Sequence, residues 1–302
     1  MVQIPAPIAL DEAESFTCVS LDLGLDEEAW LTGIELLPDN EEAVHHALYL
    51  LDLQGVSAEL ADEDGRLESC LDVHEYGGIG AYFPGSGPTL MPERIGVHVP
   101  AGARLIVNFH YAPTGAPGEV DQSSVALRWT TEPPDYEALI GAVGNAWSDE
   151  SGLLPGPHDF GSKTMFWIPP YVEDHTETMV ATLPAWVPEA KLFMLVPHMH
   201  EVGIDLHATL EHQGETRCLI QDPHWDPDWQ LVYTIDGDIE ALPTIQGGDR
   251  FELRCTYNNG LGNPTLAEAL AEYGLDAPID VFLGQQGLNE MCMLNYGIAV
   301  PR

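Results

Sequence analysis

The sequence has very few basic side chains. Of its 302 residues only 10 are Lys or Arg, against 49 Asp or Glu, which gives a formal net charge of −39 at pH 7. A chain of this charge repels nucleic acids and anionic membranes, so neither is expected as a partner. Because the acidic residues are spread along the chain, they predict a solvated acidic surface rather than a charged tail. We interpret this surface as an adaptation to high salt, which screens self-repulsion.

Long apolar runs and common functional motifs are also missing. No run of about 18 apolar residues occurs, so no membrane-spanning helix is predicted. The stretch MVQIPAPIALDEAESF has neither a basic nor an apolar region, so no signal peptide is predicted within this chain. The glycine-rich segment GGIGAYFPGSG (77–87) lacks the ending of a phosphate loop, and no G-x-S-x-G motif occurs. These absences argue against nucleotide-binding and α/β-hydrolase functions.

Cysteine is scarce as well. The five cysteines include no CxxC pair, so neither a zinc ribbon nor a thioredoxin-type site is predicted. Their odd number leaves at least one thiol unpaired unless two chains are joined. The spacing alone does not determine which cysteines pair.

What the sequence does contain is typical of an all-β protein. Short alternating runs such as RLIVNFHYA, SSVALRWTT and FELRCTYN are separated by turns in which most of the 24 prolines and 29 glycines lie. One helix is predicted at TLAEALAEYGL, where Thr265 and Glu268 have the spacing of a capping box. The segment TTEPPDYEAL (130–139) is the predicted linker. We therefore expect two tandem antiparallel β-sandwich (jelly-roll-like) domains, 1–134 and 135–302, with one short helical insertion.

The apolar run LFMLVPHMHEVG ends in two histidines. His198 and His200 are two residues apart, so on a strand their side chains share one face and can hold one metal ion. Met199 then points to the opposite, buried face. The alternative is a pair of structural histidines with satisfied hydrogen bonds.

Three further positions carry metal-ligand chemistry. His45 and His46 are adjacent, so both reach one metal ion only if the strand is bulged or has ended. Otherwise one points inward and the other outward. His110 ends an alternating strand, in which Leu105, Val107 and Phe109 form the other face. The alternative for His110 is a lone histidine at a strand end. Met291, in GLNEMCMLNYG, has a soft thioether that suits Cu(I), although most methionines are core residues.

Together these motifs resemble a known family. The order HH (45–46), FHY (109–111), HMH (198–200) and EMC (290–292) is similar to that of the copper type II, ascorbate-dependent monooxygenases, which include peptidylglycine α-hydroxylating and dopamine β-monooxygenases. Further matching segments are PERIGVHVPAGARLIVNFHY, DPDWQLVY and LRCTYNN. The resemblance extends over most of the chain.

The resemblance implies a reaction and a set of ligands. The family holds one copper ion in each of two β-sandwich domains, takes electrons from ascorbate and uses O2 to hydroxylate a substrate C–H bond. An electron-transfer copper is expected in the first domain and an oxygen-activating copper in the second. The implied ligands are His45, His46 and His110 for the first copper, and His198, His200 and Met291 for the second.

The resemblance also implies the disulfide pairing Cys18–Cys70 and Cys255–Cys292, with Cys218 left as a buried free thiol. Two disulfides predict an oxidising compartment, either the periplasm or the cell exterior. Asn108 and Gln230 are candidates for polar support of the imidazoles, and His224 is a candidate neighbour of the second site.

The sequence departs from the peptide-hydroxylating members. They hold the substrate carboxylate with an arginine where this chain has Val196, and with Asn and Tyr where it has Met293 and Asn295. A small molecule or peptide that is not anchored by a carboxylate is therefore the expected substrate. The loop-like segments 145–162 and 256–289 are expected to shape the pocket.

Three functions remain open from the sequence. The first is a copper- and ascorbate-dependent monooxygenase, in which His198, His200 and Met291 carry the chemistry. The second is a copper-binding or copper-sensing protein that has lost oxygenation. The third is a structural tandem sandwich with incidental histidines. Against it weighs the fact that all six ligand positions are filled.

Overall fold

The chain forms two compact units. The computed structural model describes residues 1–10, 15–70, 76–112, 118–145, 150–159, 161, 163–227, 230–284 and 288–302. One unit is Met1–Ile140 with Ala299–Arg302, and the other is Gly141–Ile298. The division thus follows Ile140, whereas the sequence places the boundary after residue 134. Pro133 and Pro134 lie just before a strand that begins at Tyr136 and runs past the division.

The first unit is built from short strands and one helical turn, α1 (Ser57–Leu60). Its strands are β1 (Val2–Gln3), β2 (Ile8–Ala9), β3 (Ser15–Asp22), β4 (Ala29–Leu37), β5 (Val44–Asp52), β6 (Arg66–Leu67), β7 (Tyr76–Tyr82), β8 (Thr89–Leu90), β9 (Ile95–Val99), β10 (Arg104–Tyr111), β11 (Val120–Asp121), β12 (Ser124–Thr130) and the start of β13 (Tyr136–Gly144).

Two sheets of the first unit enclose its core. One has the order β6-β3-β10-β5-β7, and the other has β1-β12-β4-β9-β13 with β8 also on β4. The described pairings are antiparallel, apart from the parallel contact of β13 with β9. The Tyr49 hydroxyl on β5 accepts a hydrogen bond from the Leu36 amide on β4 at 3.0 Å, so the two sheets face each other. Leu105, Val107 and Phe109 are fully buried, as their alternation predicts.

The second unit repeats this arrangement. Its strands are the end of β13, β14 (Trp167–Ile168), β15 (His175–Thr182), β16 (Ala190–His198), β17 (Gly203–His212), β18 (Glu215–Asp222), β19 (Tyr233–Thr234), β20 (Thr244–Ile245), β21 (Arg250–Tyr257), β22 (Val281–Phe282) and β23 (Met293–Pro301), with a 3-10 turn at Ile239–Ala241. One sheet has the order β15-β21-β17-β18 and the other has β13-β23-β16-β19. Phe251 of β21 stacks on Tyr296 of β23, with ring centroids 5.1 Å apart, which joins the two layers. The all-β sandwich prediction is confirmed.

The helix α2 (Pro264–Glu272) forms where it is predicted, but the predicted capping box of Thr265 and Glu268 is wrong. Asn263 is the N-cap and Pro264 occupies the first turn, so the helix begins before Thr265. The Thr265 hydroxyl donates to the carbonyl of Glu201 at 2.7 Å, which ties the helix start to the loop after His200. Among the described residues, no helix is long and apolar enough to cross a membrane.

Both disulfides implied by the resemblance are present, Cys18–Cys70 in the first unit and Cys255–Cys292 in the second. The expectation for Cys218 is wrong, because this thiol is exposed. Cys218 lies on β18, the edge strand of its sheet, where Thr216 and Arg217 are also exposed. Because successive residues point to opposite faces, the exposure of Thr216, Arg217 and Cys218 means that neither face of this strand is covered here.

Candidate metal centres

The first candidate centre lies where β5 and β10 meet. His110 pairs with His46 and Tyr111 pairs with Val44, so the register shifts by one residue and His45 is the extra residue of a β-bulge. A bulge turns two successive side chains toward the same side of the strand. The bulge that His45 and His46 need in order to reach one metal ion is therefore present. All three imidazoles are half-buried.

The three imidazoles converge through the same ring atom. The Nδ1 atoms of His45, His46 and His110 form a triangle in which each side is 3.2 Å. Hydrogen bonds cannot satisfy all three contacts, because each Nδ1 offers either one proton or one lone pair. The centre of this triangle is about 1.8 Å from each nitrogen, close to the ~2.0 Å at which imidazole binds a first-row metal ion. The residues present therefore fit a metal ion.

This group is set apart from other polar clusters. Within the described ranges it is the one set of three or more His, Cys, Asp or Glu residues whose ligand atoms all lie within 4.8 Å of one another. Phe16 of β3 stacks on the His110 ring at a centroid distance of 4.3 Å and is itself 56% exposed. An aromatic wall thus fixes the ring of His110 on its solvent side.

The second candidate centre lies at the end of β16. The Nε2 atoms of His198 and His200 are 3.1 Å apart. The other nitrogen of each ring is held from behind: His198 Nδ1 lies 2.6 Å from Gln230 Oε1, and His200 Nδ1 lies 3.1 Å from the carbonyl of Asn289. Since both partners accept hydrogen bonds, the protons sit on Nδ1 and both Nε2 atoms present lone pairs. Burial lowers the pKa of His198, which favours the neutral, ligating form.

Met291 is tied to this pair through Glu290. The buried Glu290 carboxylate accepts hydrogen bonds from four backbone amides. These are His200 and Met291 at 2.9 Å each, Val202 at 3.0 Å and Gly203 at 3.1 Å. One side chain therefore fixes the backbone of His200 relative to that of Met291. Burial raises the pKa of Glu290 to about 8, even though these amides favour the charged form.

Further contacts hold the Met291 segment. The Tyr257 hydroxyl donates to the carbonyl of Met291 at 2.9 Å, and the Cys255–Cys292 disulfide joins the same segment to β21. The side chain of Met291 is 5% exposed. The indole N–H of Trp225 donates to the carbonyl of His200 at 3.1 Å. The second centre is thus built from a rigid backbone frame.

The supporting residues expected from the sequence have different outcomes. Gln230 does contact an imidazole. The amide oxygen of Asn108 lies 3.8 Å from the sulfur of Cys18. His224 is exposed, and its neighbour Trp225 makes the contact with the second centre. His74, Asp228 and Trp229 lie outside the described residues.

Sequence reasoning missed Glu290 and Tyr257 in the second centre. Glu290 stands beside Met291, but a glutamate in a loop gives no sign that it will be buried against four amides. Reasoning also missed His175 and Glu177, two residues apart on β15, although they follow the same-face spacing that singled out His198 and His200.

Comparison with known proteins assigns no family to this chain. No family model matches the chain, and no curated protein matches it. Among solved structures it is similar to a xanthan lyase from Paenibacillus at a TM-score of 0.25 and 9% identity, over 99% of this chain and 25% of that one. It is similar to an allantoicase at a TM-score of 0.21 and 13% identity, over 84% and 83% of the two chains. It is similar to the VP2 subviral particle of infectious bursal disease virus at a TM-score of 0.18 and 12% identity, over 100% and 80%. The chain spans a quarter of the xanthan lyase, and likeness at these scores carries no argument about function.

Proposed function

We propose that this chain is a copper-dependent monooxygenase that uses ascorbate or another one-electron donor and O2 to hydroxylate a C–H bond. The observation that carries the proposal is the convergence of His45, His46 and His110, whose Nδ1 atoms stand 3.2 Å apart. A second imidazole pair, joined by Glu290 to a buried methionine, supports it. This combination of a three-histidine group with a His, His and Met set is the pattern on which the resemblance to the copper family rests.

The first set of residues would hold a copper ion in both of its oxidation states. Three imidazoles are neutral ligands that suit both Cu(II) and Cu(I), and a rigid frame limits movement when the charge changes. The bulge at His45 and the stacking of Phe16 on His110 fix this frame. The three rings are half-buried, so the group lies near the protein surface. These features suit the intake of electrons.

The second set of residues prepares a softer site. Gln230 and the carbonyl of Asn289 hold the Nδ1 atoms of the two imidazoles, so that both Nε2 atoms present their lone pairs. Glu290 binds the backbone amides of His200 and Met291 and so fixes the two segments relative to each other. A thioether ligand favours Cu(I), and copper bound there supplies the chemistry of O2 activation. The residues themselves bind, orient and keep the imidazoles neutral.

The residue at position 196 bears on the substrate class. Val196 is 7% exposed and stands where the peptide-hydroxylating members have an arginine. We therefore propose a neutral small molecule or peptide that is not held by its carboxylate. The disulfides Cys18–Cys70 and Cys255–Cys292 favour an oxidising compartment, and we propose a secreted or periplasmic location.

The test is oxygen transfer from isotopically heavy O2. Copper-loaded protein is supplied with ascorbate and a panel of uncharged small molecules and amidated peptides, and products are analysed by mass spectrometry. The proposal expects a product that carries one heavy oxygen atom, and it expects that Met291→Ala abolishes this product while the first copper is retained. If both centres bind copper but no candidate is oxygenated and ascorbate consumption is unaffected by any substrate, the chain is a copper-binding protein without oxygenase activity.

A further inference from the structure

A buried histidine and glutamate lie on β15, in the second unit. His175 and Glu177 are 0% and 1% exposed, and their side chains share one face of the strand. His175 Nε2 is 2.7 Å from Glu177 Oε1. Since the carboxylate accepts this hydrogen bond, the Nε2 atom carries the proton and the Nδ1 atom of His175 presents a lone pair. This is the arrangement in which a carboxylate orients a metal-binding imidazole.

A second imidazole is brought to this lone pair by the segment 150–159. The segment is hydrogen-bonded along the edge of β15, through Leu154 N to Thr178 O at 2.9 Å and through Val180 N to Gly152 O at 2.8 Å. The His158 ring then lies beside that of His175, with Nδ1 atoms 2.9 Å apart. His158 is half-buried, so the pair is reached from solvent on its side.

The turn that carries His158 is itself fixed. The carboxylate of Asp159 accepts hydrogen bonds from the amides of Gly156 at 2.9 Å and Met165 at 3.1 Å. A side chain at Gly156 would stand 2.8 Å from Glu177 Oε2, so glycine is what lets the turn approach the carboxylate. The position of His158 is thus set by backbone contacts and not by its own ring.

Charge balance favours a cation here. Glu177 is buried, and within the described ranges its Oε2 atom makes no hydrogen bond. A buried carboxylate without a compensating charge is costly, and the chain as a whole carries a net charge of −39. A positive ion bound to the neighbouring imidazoles offsets this cost.

We propose that the Nδ1 atoms of His158 and His175 bind a divalent first-row transition metal ion of the Zn2+ class, with Glu177 as the carboxylate partner of His175. Two nitrogens that each lie about 2.0 Å from one ion are roughly 2.8–3.3 Å apart when they subtend a near-tetrahedral or right angle. The observed 2.9 Å falls in this range, as does the 3.1 Å between His198 and His200. With two protein ligands, the ion keeps open positions for water or an anion. The site is independent of the proposed copper centres.

The test is Zn2+ stoichiometry by equilibrium dialysis and elemental analysis of the full-length chain. We expect His158→Ala to bind one zinc ion fewer per chain than the wild type, because the half-buried His158 is removed without emptying the core. Glu177→Gln keeps an acceptor oxygen but loses the charge, and it is expected to lower Zn2+ affinity at this site about 10–100-fold.

The matched control is His212→Ala. His212 Nδ1 is 2.8 Å from a carboxylate oxygen of Asp249, so this variant also breaks a histidine–carboxylate pair, and it is expected to keep the wild-type zinc count. An unchanged zinc count in His158→Ala overturns the proposal and leaves an N–H···N hydrogen bond between the two imidazoles. Loss of copper from the other centres leaves this result unaffected, so the two proposals fail separately.

Discussion

Glu290 is the single residue on which the second centre depends most. Its carboxylate accepts hydrogen bonds from the amides of His200, Val202, Gly203 and Met291. Buried amides without an acceptor are expensive, so the carboxyl oxygens of Glu290 hold these four backbone groups in place. Glu290, which is not itself a proposed metal ligand, therefore determines how the segments that carry His200 and Met291 lie relative to each other.

Glu290→Gln is expected to lower the free energy of unfolding by about 2–4 kcal/mol, because the amide nitrogen cannot accept and two backbone N–H groups lose their partners. Urea unfolding measures the change. Glu215→Gln, on the exposed face of β18, serves as the control and is expected to stay within ~0.5 kcal/mol of the wild type. A stability loss no larger than in the control would contradict the role assigned to Glu290.

Gln230 offers a second test at this scale. Gln230→Ala removes the 2.6 Å contact with His198 Nδ1 and frees the tautomer of that ring. We expect Cu(I) affinity at the second centre to fall about 10–100-fold, with the first centre unchanged. Competition with a Cu(I) chelator measures this, and Gln221→Ala on the surface is the control. Equal affinities in both variants would show that Gln230 does not orient the ring.

Residue identity alone predicted part of these centres. The six ligand positions and the disulfide partners were implied by the family resemblance that the motifs carry. The i, i+2 rule placed His198 and His200 on one face with Met199 buried behind them. The same rule places His175 and Glu177 on one face of β15. His158 contacts His175 from a loop, and no periodic pattern in the sequence predicts that contact.

At the scale of elements, the bulge in β5 shows what a single strand cannot reveal. Alternation in β10 predicted its buried face and the direction of His110. The bulge at His45 depends on the register between β5 and β10, which is a property of the pair. The exposure of Cys218 likewise depends on β18 being the edge of its sheet, and sheet order is not written in local sequence. The start of α2 was misplaced because Asn263 and Pro264 provide an earlier N-terminus than Thr265.

The tether between β21 and the Met291 segment makes an element-scale prediction. The Cys255–Cys292 bridge closes a loop with a sequence separation of 37. The double variant Cys255→Ala/Cys292→Ala is expected to lose about 4 kcal/mol of unfolding free energy, according to the loop-entropy model. Because β21 then no longer restrains Met291, Cu(I) affinity of the second centre is also expected to fall.

Denaturant unfolding and Cu(I) competition measure the two effects in the same samples. The single variant Cys218→Ala is the control, since its thiol is free and exposed. Wild-type copper affinity in the destabilised double variant would show that the hydrogen bonds of Glu290 and Tyr257 hold Met291 without the bridge.

At the scale of the whole molecule, the main feature is the large negative net charge. A net charge of −39 with 10 basic residues places many carboxylates within mutual repulsion, and about 0.15 M salt screens charges only beyond ~8 Å. The folded state concentrates this charge more than the unfolded chain does. Added salt therefore favours the folded state.

We expect the midpoint of thermal unfolding to rise continuously between low salt and molar NaCl. Choline chloride at matched ionic strength is the control, because it separates screening from specific binding of sodium ions. A midpoint that falls steadily over this range would contradict adaptation to high salt.

The central claim is that the chain holds two copper ions in chemically different centres. The most direct measurement is the number of copper ions retained per chain after anaerobic loading and desalting, in the wild type and in Met291→Ala. Our account predicts two in the wild type, with the second weakened in the variant while the ion at His45, His46 and His110 stays bound. Retention of no copper by the wild type, or equal retention by both proteins, would contradict it.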